Sequence, residues 1–217
     1  MPSTNENEVH HPLFARIFAR LGAQAEQRGQ GDHRRDLLAG LSGRVIEMGA
    51  GNGLNFAHYP STVAEVVAVE PESYLRELAY KAASTATVEV RVVDGVAQRL
   101  PADEASFDAG VASLVLCSVP NQQQALAELR RVIRPGGELR FYEHVISNRS
   151  GLARAQRVAE KTGIWPLVGG GCHPARDTEA AIEAAGFEIE SCRRFEFRPA
   201  LVEVIVEPKI LGVARRP

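Results

Sequence analysis

The chain has 217 residues, 45% of them hydrophobic, and 25 Lys and Arg against 27 Asp and Glu leave a formal charge of -2. That length suits one domain with a sizeable core, and the near-neutral balance gives no electrostatic footprint for nucleic acid, so no nucleic-acid partner is expected. Three dispersed cysteines, Cys117, Cys172 and Cys192, form no CxxC pair and no bridge framework, which predicts no metal site and a reducing, cytoplasmic setting.

Met1 to Val9 read as a polar, disordered lead without the basic-then-apolar order of a secretion signal. Nowhere do eighteen apolar residues run together, so no membrane span is expected. Leu13, Phe14, Ile17, Phe18 and Leu21 then recur at spacings of three and four, the stripe of an amphipathic helix. With only Arg16 and Arg20 on its polar face, this stripe suits a lid or core packing better than a membrane surface. "QRGQGD" breaks the pattern, and "HRRDLLAGLSG" starts a second helix with Asp32 as N-cap and Gly40 or Gly43 as its stop. Residues 1–42 are thus expected to be a tail and lid helices ahead of a main domain at 43–217.

After Gly43, strand-like and helix-like segments alternate. "RVIEMG" leads to a helical stretch near Asn55, "EVVAVEP" to "ESYLRELAYKAAST", and "VEVRVVDG" to a short polar turn. "FDAGVASLVLCSV" is followed by the helix "NQQQALAELRRVI", the turn "RPGG" and "ELRFYEHV". This order predicts βαβ units on a parallel sheet covered on both faces. Two later strands are expected in "FEIESCRRFEF" and "VEVIVEPKILGVA", with a helix capped at Asp177 or Thr178 and stopped at Gly186. The segment 147–176 exceeds a minimal α/β unit, helix-like to about Thr162 and loop-like through "GIWPLVGGGCHPARD"; extra segments of this kind usually lie over the functional end of a sheet. The Arg pairs starting at Arg34, Arg130 and Arg193 read as solvated faces.

In "VIEMGAGNG" a strand runs into Gly49, Gly51 and Gly53. Such a turn followed by a helix lets a ligand approach the backbone at the carboxyl end of the sheet. Glu70 ends the second strand, where one carboxylate can accept from two ribose hydroxyls, and Asp94 ends the third, where it can accept from an adenine amine. The competing readings are a solvated strand-end acid and a turn former. Glu47 separates two cofactors: a carboxylate two residues before the first glycine repels a pyrophosphate but suits the ammonium of an amino acid. The spacing GxGxG, in place of GxGxxG, points the same way, toward S-adenosylmethionine.

These residues resemble the class I S-adenosylmethionine-dependent methyltransferases. "VIEMGAGNG" is similar to their first motif, "VVAVEP" to the acid-ended second strand, "VVDGVAQRLP" to the adenine-side loop and "FDAGVASLVLCSV" to the fourth strand. "ELRRVIRPGGELRFYEHV" is similar to the corresponding helix, turn and strand of the ubiquinone and menaquinone biosynthesis methyltransferases. The resemblance, from Gly43 to Val145, implies an α/β fold with a Rossmann-like, seven-stranded, mostly parallel sheet whose last strand is antiparallel. "GNGLNFAHYP", "LVLCSVPNQ", "GCHPARDT" and "ILGVARR" extend it to the methyltransferase-like proteins that methylate alkyl thiols in mammals. Those carry a hydrophobic N-terminal anchor, where this chain has "HPLFARIFARL", too short and too charged to span a membrane.

By resemblance, Glu47, Gly49, Ala50, Gly51, Gly53 and Asn55 wall the methionine side of S-adenosylmethionine, Glu70 and Pro71 the ribose and adenine, and Asp94, Gly95 and Val96 the far side of the adenine. Ser113, Leu114 and Ser118 flank the sulfonium. Methyl transfer from a sulfonium needs positioning more than covalent help. His144 and His173 are the candidates for accepting a proton or orienting the acceptor, against plain structural hydrogen bonding; His33 is expected at the surface. Cys117 reads as a buried small hydrophobe. The implied function is methylation of a small-molecule acceptor, a thiol first, yielding S-adenosylhomocysteine. O- or N-methylation of a phenolic or quinone-like molecule is the alternative, and a non-catalytic cofactor-binding module the remote one.

Overall fold

The computed structural model describes residues 12–199 and 201–217, and of Pro12, Leu13, Phe14, Phe18, Ile164, Val168, Leu201, Val202 and Glu203 the backbone alone, so the expectations for Met1 to Val9 and for the Leu13, Phe14 and Phe18 side chains lie outside the described residues. Helix α1 (Pro12–Ala25) and helix α2 (Gly31–Leu38) are joined by a π-helical turn, Glu26–Gln30. The helix breaks at Arg28 and Gly29, where Gly29 takes φ 108°, a value glycine adopts without strain. Asp32 is not the expected cap. The backbone is already helical at Gln30, so Asp32 lies in the first turn of α2 and its Oδ1 accepts instead from Arg35 Nη1 at 2.6 Å. Gly40, with φ 79°, follows the end of α2, whereas Gly43 opens the first strand.

Seven strands form one sheet: β1 (Gly43–Met48), β2 (Val63–Val69), β3 (Val90–Val93), β4 (Phe107–Ser113), β5 (Ile133–His144), β6 (Glu188–Glu196) and β7 (Pro208–Arg215). Their order is β3-β2-β1-β4-β5-β7-β6, with β1 to β5 parallel and β7 antiparallel to both its neighbours. The chain winds outward one way from β1 and the other way from β4, so the crevice of this sheet opens at the carboxyl ends of β1 and β4.

Strand periodicity divides the core. Ile46, Met48, Val67 and Val69 face α4 (Gln122–Val132) and α7 (Thr178–Ala184) with Leu126, Leu129 and Ile182. Val45, Val66, Ala68 and Val111 face the other way, beneath Leu37 and Leu38 of α2 and Ala79 of α3 (Ser73–Ala83). Leu37 and Leu38 are fully buried, so α2 is part of the core. Glu47, two residues from Val45, points to the α2 face.

Three segments differ from expectation. The helix expected near Asn55 is a single 3-10 turn, Phe56–His58, because Pro60 stops it before a second turn. The amides offered to a ligand there belong to the glycine turn itself. "VEVIVEPKILGVA" divides into a 3-10 turn, Leu201–Val206, and β7. Strand β7 pairs with β5 from Arg215 to Lys209, opposite Glu138 to His144, and β5 supplies no partner further on. The extra segment forms α5 (Ser150–Lys161) and, where a loop was expected, the short α6 (Ile164–Val168), begun at Gly163 with φ 70°. No helix among the described residues is long and apolar enough to cross a membrane.

Candidate active site

Gly49 N and Ala50 N both donate to Val69 O, at 2.8 and 3.0 Å, which folds the chain sharply off the end of β1 onto β2. Gly49 has φ +68°, and a Cβ there would lie 2.4 Å from Val115 Cγ2; at Gly53, φ +80°, it would meet the Phe56 ring and Ala82 Cβ within 2.8 Å. Sterics and backbone conformation both require glycine at these two positions. Glu70 is 5% exposed and ties down the same turn: Oε2 accepts from Gly51 N at 2.8 Å and Oε1 from Glu72 N at 2.9 Å. Each oxygen retains a second lone pair able to accept another hydrogen bond. Burial raises the Glu70 pKa, and the two backbone donors offset part of that rise.

Arg76 gathers the ends of β2 and β3. Its Nη1 donates to Glu70 O, Pro71 O and Asp94 Oδ1 at 2.8, 2.9 and 3.1 Å. Asp94 is thereby oriented while its side chain stays 57% exposed. A Cβ on Gly95 would come within 2.9 Å of Val69 Cγ1 and Pro101 Cδ, and Val96 bridges to Arg99 to close the loop.

Glu47 is buried, 2% exposed, and accepts from Asn55 Nδ2 at 2.7 Å and the Tyr59 hydroxyl at 2.8 Å. Desolvation pushes its pKa up to about 7 against the pull of these donors and of Arg34. Arg34 belongs to this network and not to a solvated face. It is 8% exposed, and its Nη1 donates to Asn55 Oδ1 at 2.7 Å and Ser113 Oγ at 3.3 Å, while its Nε pairs with Glu26 Oε2 at 3.0 Å. Glu26 in turn meets His58 Nε2 at 2.8 Å. A cation carried by α2 therefore sits across the crevice between β1 and β4. Arg131 is likewise no solvated residue, bridging Glu128 and the Leu100 and Ala102 carbonyls.

At the end of β4, Leu114 takes φ 57°, rare for a side-chain-bearing residue, and its N donates to Tyr142 O at 2.7 Å. The fully buried Glu143 carboxylate accepts from Val115, Leu116 and Cys117 N at 3.0, 2.9 and 3.1 Å, so it faces β4 and fixes the turn that carries Ser118. Burial holds its pKa well above the carboxylate range despite those donors. His144 Nδ1 lies 3.5 Å from Cys117 Sγ and 3.6 Å from Cys172 Sγ, and Ser118 Oγ lies 3.5 Å from Cys117 Sγ. The neighbouring Cys172 and burial push the Cys117 thiol up to about 12. His173 N donates to Cys117 O at 2.7 Å, and its ring Nδ1 lies 3.3 Å from Glu160 Oε1. His33 is away from this cluster, and more than a surface residue: its Nδ1 is 3.3 Å from the Tyr142 hydroxyl and its ring packs on Phe195 and Phe197. Burial lowers its pKa.

The residues singled out in the sequence thus gather along one edge, in a β1–β2–β3 group around the glycine turn and a β4–β5 group around His144. The sequence reading missed Arg34, Tyr59 and Arg76. A signal for Arg34 was present, since Arg34, Leu37 and Leu38 share one helical face.

A strand-end glycine turn that admits no Cβ, with a buried acid on the neighbouring strand, fits the nucleoside and amino-acid ends of S-adenosylmethionine. Comparison with known proteins agrees. The family described as "Methyltransferase domain" matches residues 46–141. Thiol S-methyltransferase TMT1B of Homo sapiens is 37% identical over 185 residues, 82% of this chain and 73% of that protein. The chain belongs to this methyltransferase family. Demethylmenaquinone methyltransferase of Mycobacterium tuberculosis is 35% identical over 106 residues, 49% of this chain and 43% of that one. A solved geranyl diphosphate methyltransferase shares the fold at TM-score 0.67 and 14% identity, covering 88% of this chain and 78% of that one. The protein is an S-adenosylmethionine-dependent methyltransferase with a Rossmann-like sheet.

Proposed function

We propose that this methyltransferase methylates the sulfur of a small thiol, in a reducing cytoplasm. One observation carries the choice of acceptor: the likeness to a protein named thiol S-methyltransferase extends over 82% of the chain, well beyond the shared domain at 46–141. The three cysteines, all free, support the compartment.

When bound, S-adenosylmethionine supplies a methyl group already activated by its sulfonium. The glycine turn, with Gly49, Ala50, Gly51 and Gly53, gives the cofactor close backbone approach. Glu70 accepts from the ribose hydroxyls beside Pro71, while Asp94, Gly95 and Val96 border the adenine. Glu47 and Asn55 serve the amino-acid ammonium, and Arg34 its carboxylate. Ser113, Leu114 and Ser118 line the sulfonium end, so the acceptor approaches from the β4–β5 side, between His144 and His173. These histidines orient the acceptor or take its proton. A thiol with a pKa near 8.5 is a few per cent thiolate at pH 7, so modest assistance suffices, whereas a phenol near 10 needs more.

The test is release of S-adenosylhomocysteine with matched alkyl thiol, phenol and amine acceptors. Turnover on the thiol is expected. Turnover on the phenol or amine alone would overturn the acceptor assignment and favour the O- or N-methylation alternative. Cofactor binding without turnover on any acceptor would favour a binding module.

A further inference from the structure

Cys117, His144 and Cys172 were not expected to meet, because no two cysteines lie at ligand spacing in the sequence. They come from the turn after β4, the end of β5 and the extra segment, and their Sγ, Nδ1 and Sγ atoms all lie within 4.8 Å of one another. The two sulfur-to-nitrogen distances are 3.5 and 3.6 Å. A tetrahedral zinc ion with Zn–S about 2.3 Å and Zn–N about 2.0 Å sets a sulfur and a nitrogen ligand about 3.5 Å apart, close to both values. From this geometry we propose that Cys117, His144 and Cys172 hold a zinc ion whose fourth position takes the acceptor thiol as a thiolate. The fourth-position part rests on the thiol reading above; the three-ligand site does not.

The surroundings suit such a site. Both sulfurs are buried with Val206 and Trp165 in an apolar cluster separate from the two main cores. Thiolates and imidazole are zinc's usual donors, and three protein ligands with an open position mark reactive zinc sites, whereas structural ones close with a fourth. The ligand shell is held from outside: the Glu143 carboxylate fixes Cys117 N, and Cys117 O accepts from His173 N, one residue past Cys172. Outer contacts of this kind orient metal ligands. Trp165, which packs against this cluster, has its Nε1 buried with no partner among the described residues. Arg176, with Nη1 on Leu116 O at 2.6 Å, brings a positive charge to the same turn.

The position relates the site to methyl transfer. Cys117 and His144 lie at the carboxyl ends of adjacent parallel strands, beside Ser118 at the expected sulfonium end. On entering the fourth position, a thiol forms a Zn–S bond as its S–H bond breaks heterolytically. The sulfur keeps the electron pair and the proton leaves to water; a metal-coordinated thiol is deprotonated outright. His144 is then a metal ligand, not a base.

Cobalt(II) in place of zinc gives an optical readout that needs no turnover. Metal-free protein kept reduced with a phosphine should take up one cobalt ion per chain and develop tetrahedral d–d bands with thiolate-to-cobalt charge transfer. Protein purified without chelator should carry one zinc by mass spectrometry. Cys117→Ser, Cys172→Ser and Cys172→Ala should each weaken cobalt uptake at least tenfold, while Cys192→Ser should not; S-adenosylhomocysteine binding by each variant confirms folding. Ethanethiol should shift the bands and ethanol should leave them unchanged. Absence of metal and bands in the wild-type protein, bands unaltered in the Cys117 and Cys172 variants, or a Cys117–Cys172 disulfide whose reduction restores no metal uptake would overturn the site. Bands indifferent to ethanethiol would overturn the fourth-position role. Intact bands and an ethanethiol shift without thiol turnover would instead overturn the proposed acceptor.

Discussion

Two buried charges of opposite sign, Glu47 on β1 and Arg34 on α2, share Asn55 as their intermediary: Asn55 Nδ2 donates to the acid and Oδ1 accepts from the base. The amide transmits orientation between the two groups without joining them in an ion pair. Glu47 consequently keeps a pKa raised from 4.5 to about 7, with burial the dominant cause. Its folded value lies above its unfolded one, so its contribution to stability is full below about pH 4.5 and is lost as pH rises through about 7. The shift corresponds to about 3 kcal/mol across that window. Glu47→Gln, which cannot ionise, should remove this slope. The difference in unfolding free energy between wild type and variant, from urea midpoints at several pH values, should move against the wild type as pH rises. A difference independent of pH would show that Glu47 does not titrate in this range. An ammonium placed beside Glu47 favours its ionised form, so cofactor binding near neutral pH should release a proton.

At the scale of elements, the glycine turn is defined by what surrounds it. Gly49 carries two separable constraints, a positive φ and the Val115 methyl 2.4 Å from where a Cβ would stand. Gly49→Ala should destabilise the protein by several kcal/mol, since a left-handed residue alone costs about 1–2 kcal/mol and the clash adds to it. Trimming the neighbour in a Gly49→Ala, Val115→Ala double variant should recover the steric part and leave the backbone part, as read from denaturant midpoints. Equal midpoints for the single and double variants would mean that Val115 yields freely. This turn, the strands and the strand-end acids were legible in the sequence because each is local: apolar runs, glycines and carboxylates stand next to one another in the chain. One later feature was only half legible. The alternation in "VEVIV" looked like a strand, but a strand needs a partner, and β5 supplies none beyond His144. The buried face that carries Arg34 could be read from the helix pattern, but its partner Ser113, like the Cys117, His144 and Cys172 group, was illegible for a different reason. Sequence separations of 79 between Arg34 and Ser113 and of 28 between His144 and Cys172 are closed only by the sheet order, which no local pattern encodes.

For the whole molecule, the sheet order and the N-terminal helices act together. The order β3-β2-β1-β4-β5-β7-β6 opens the crevice between β1 and β4, and Arg34 spans it through Asn55 and Ser113. The same helix, α2, is anchored by fully buried Leu37 and Leu38, so its far end is core while its near end borders the site. The joint that can give lies upstream, at Arg28 and Gly29, where the backbone leaves the helical region. A ligand in the crevice should therefore stabilise the fold and tighten that joint. At a concentration of about one hundred times its Kd, S-adenosylhomocysteine adds about 2.7 kcal/mol to the folded state. For a chain of this size each kcal/mol is worth roughly 2–4 °C in Tm, so a rise of roughly 5–10 °C is expected. NAD should give none, since Glu47 opposes a pyrophosphate at the glycines. Amide exchange at Glu26–Gln30 should slow on binding if α1 and α2 serve as a lid. A Tm rise with unchanged exchange there would keep the cofactor site and remove the lid. Arg34→Ala separates the two further: it should lower affinity through the lost guanidinium and abolish the slowing at the joint, while leaving the buried Leu37 and Leu38 anchor, and so the fold, in place.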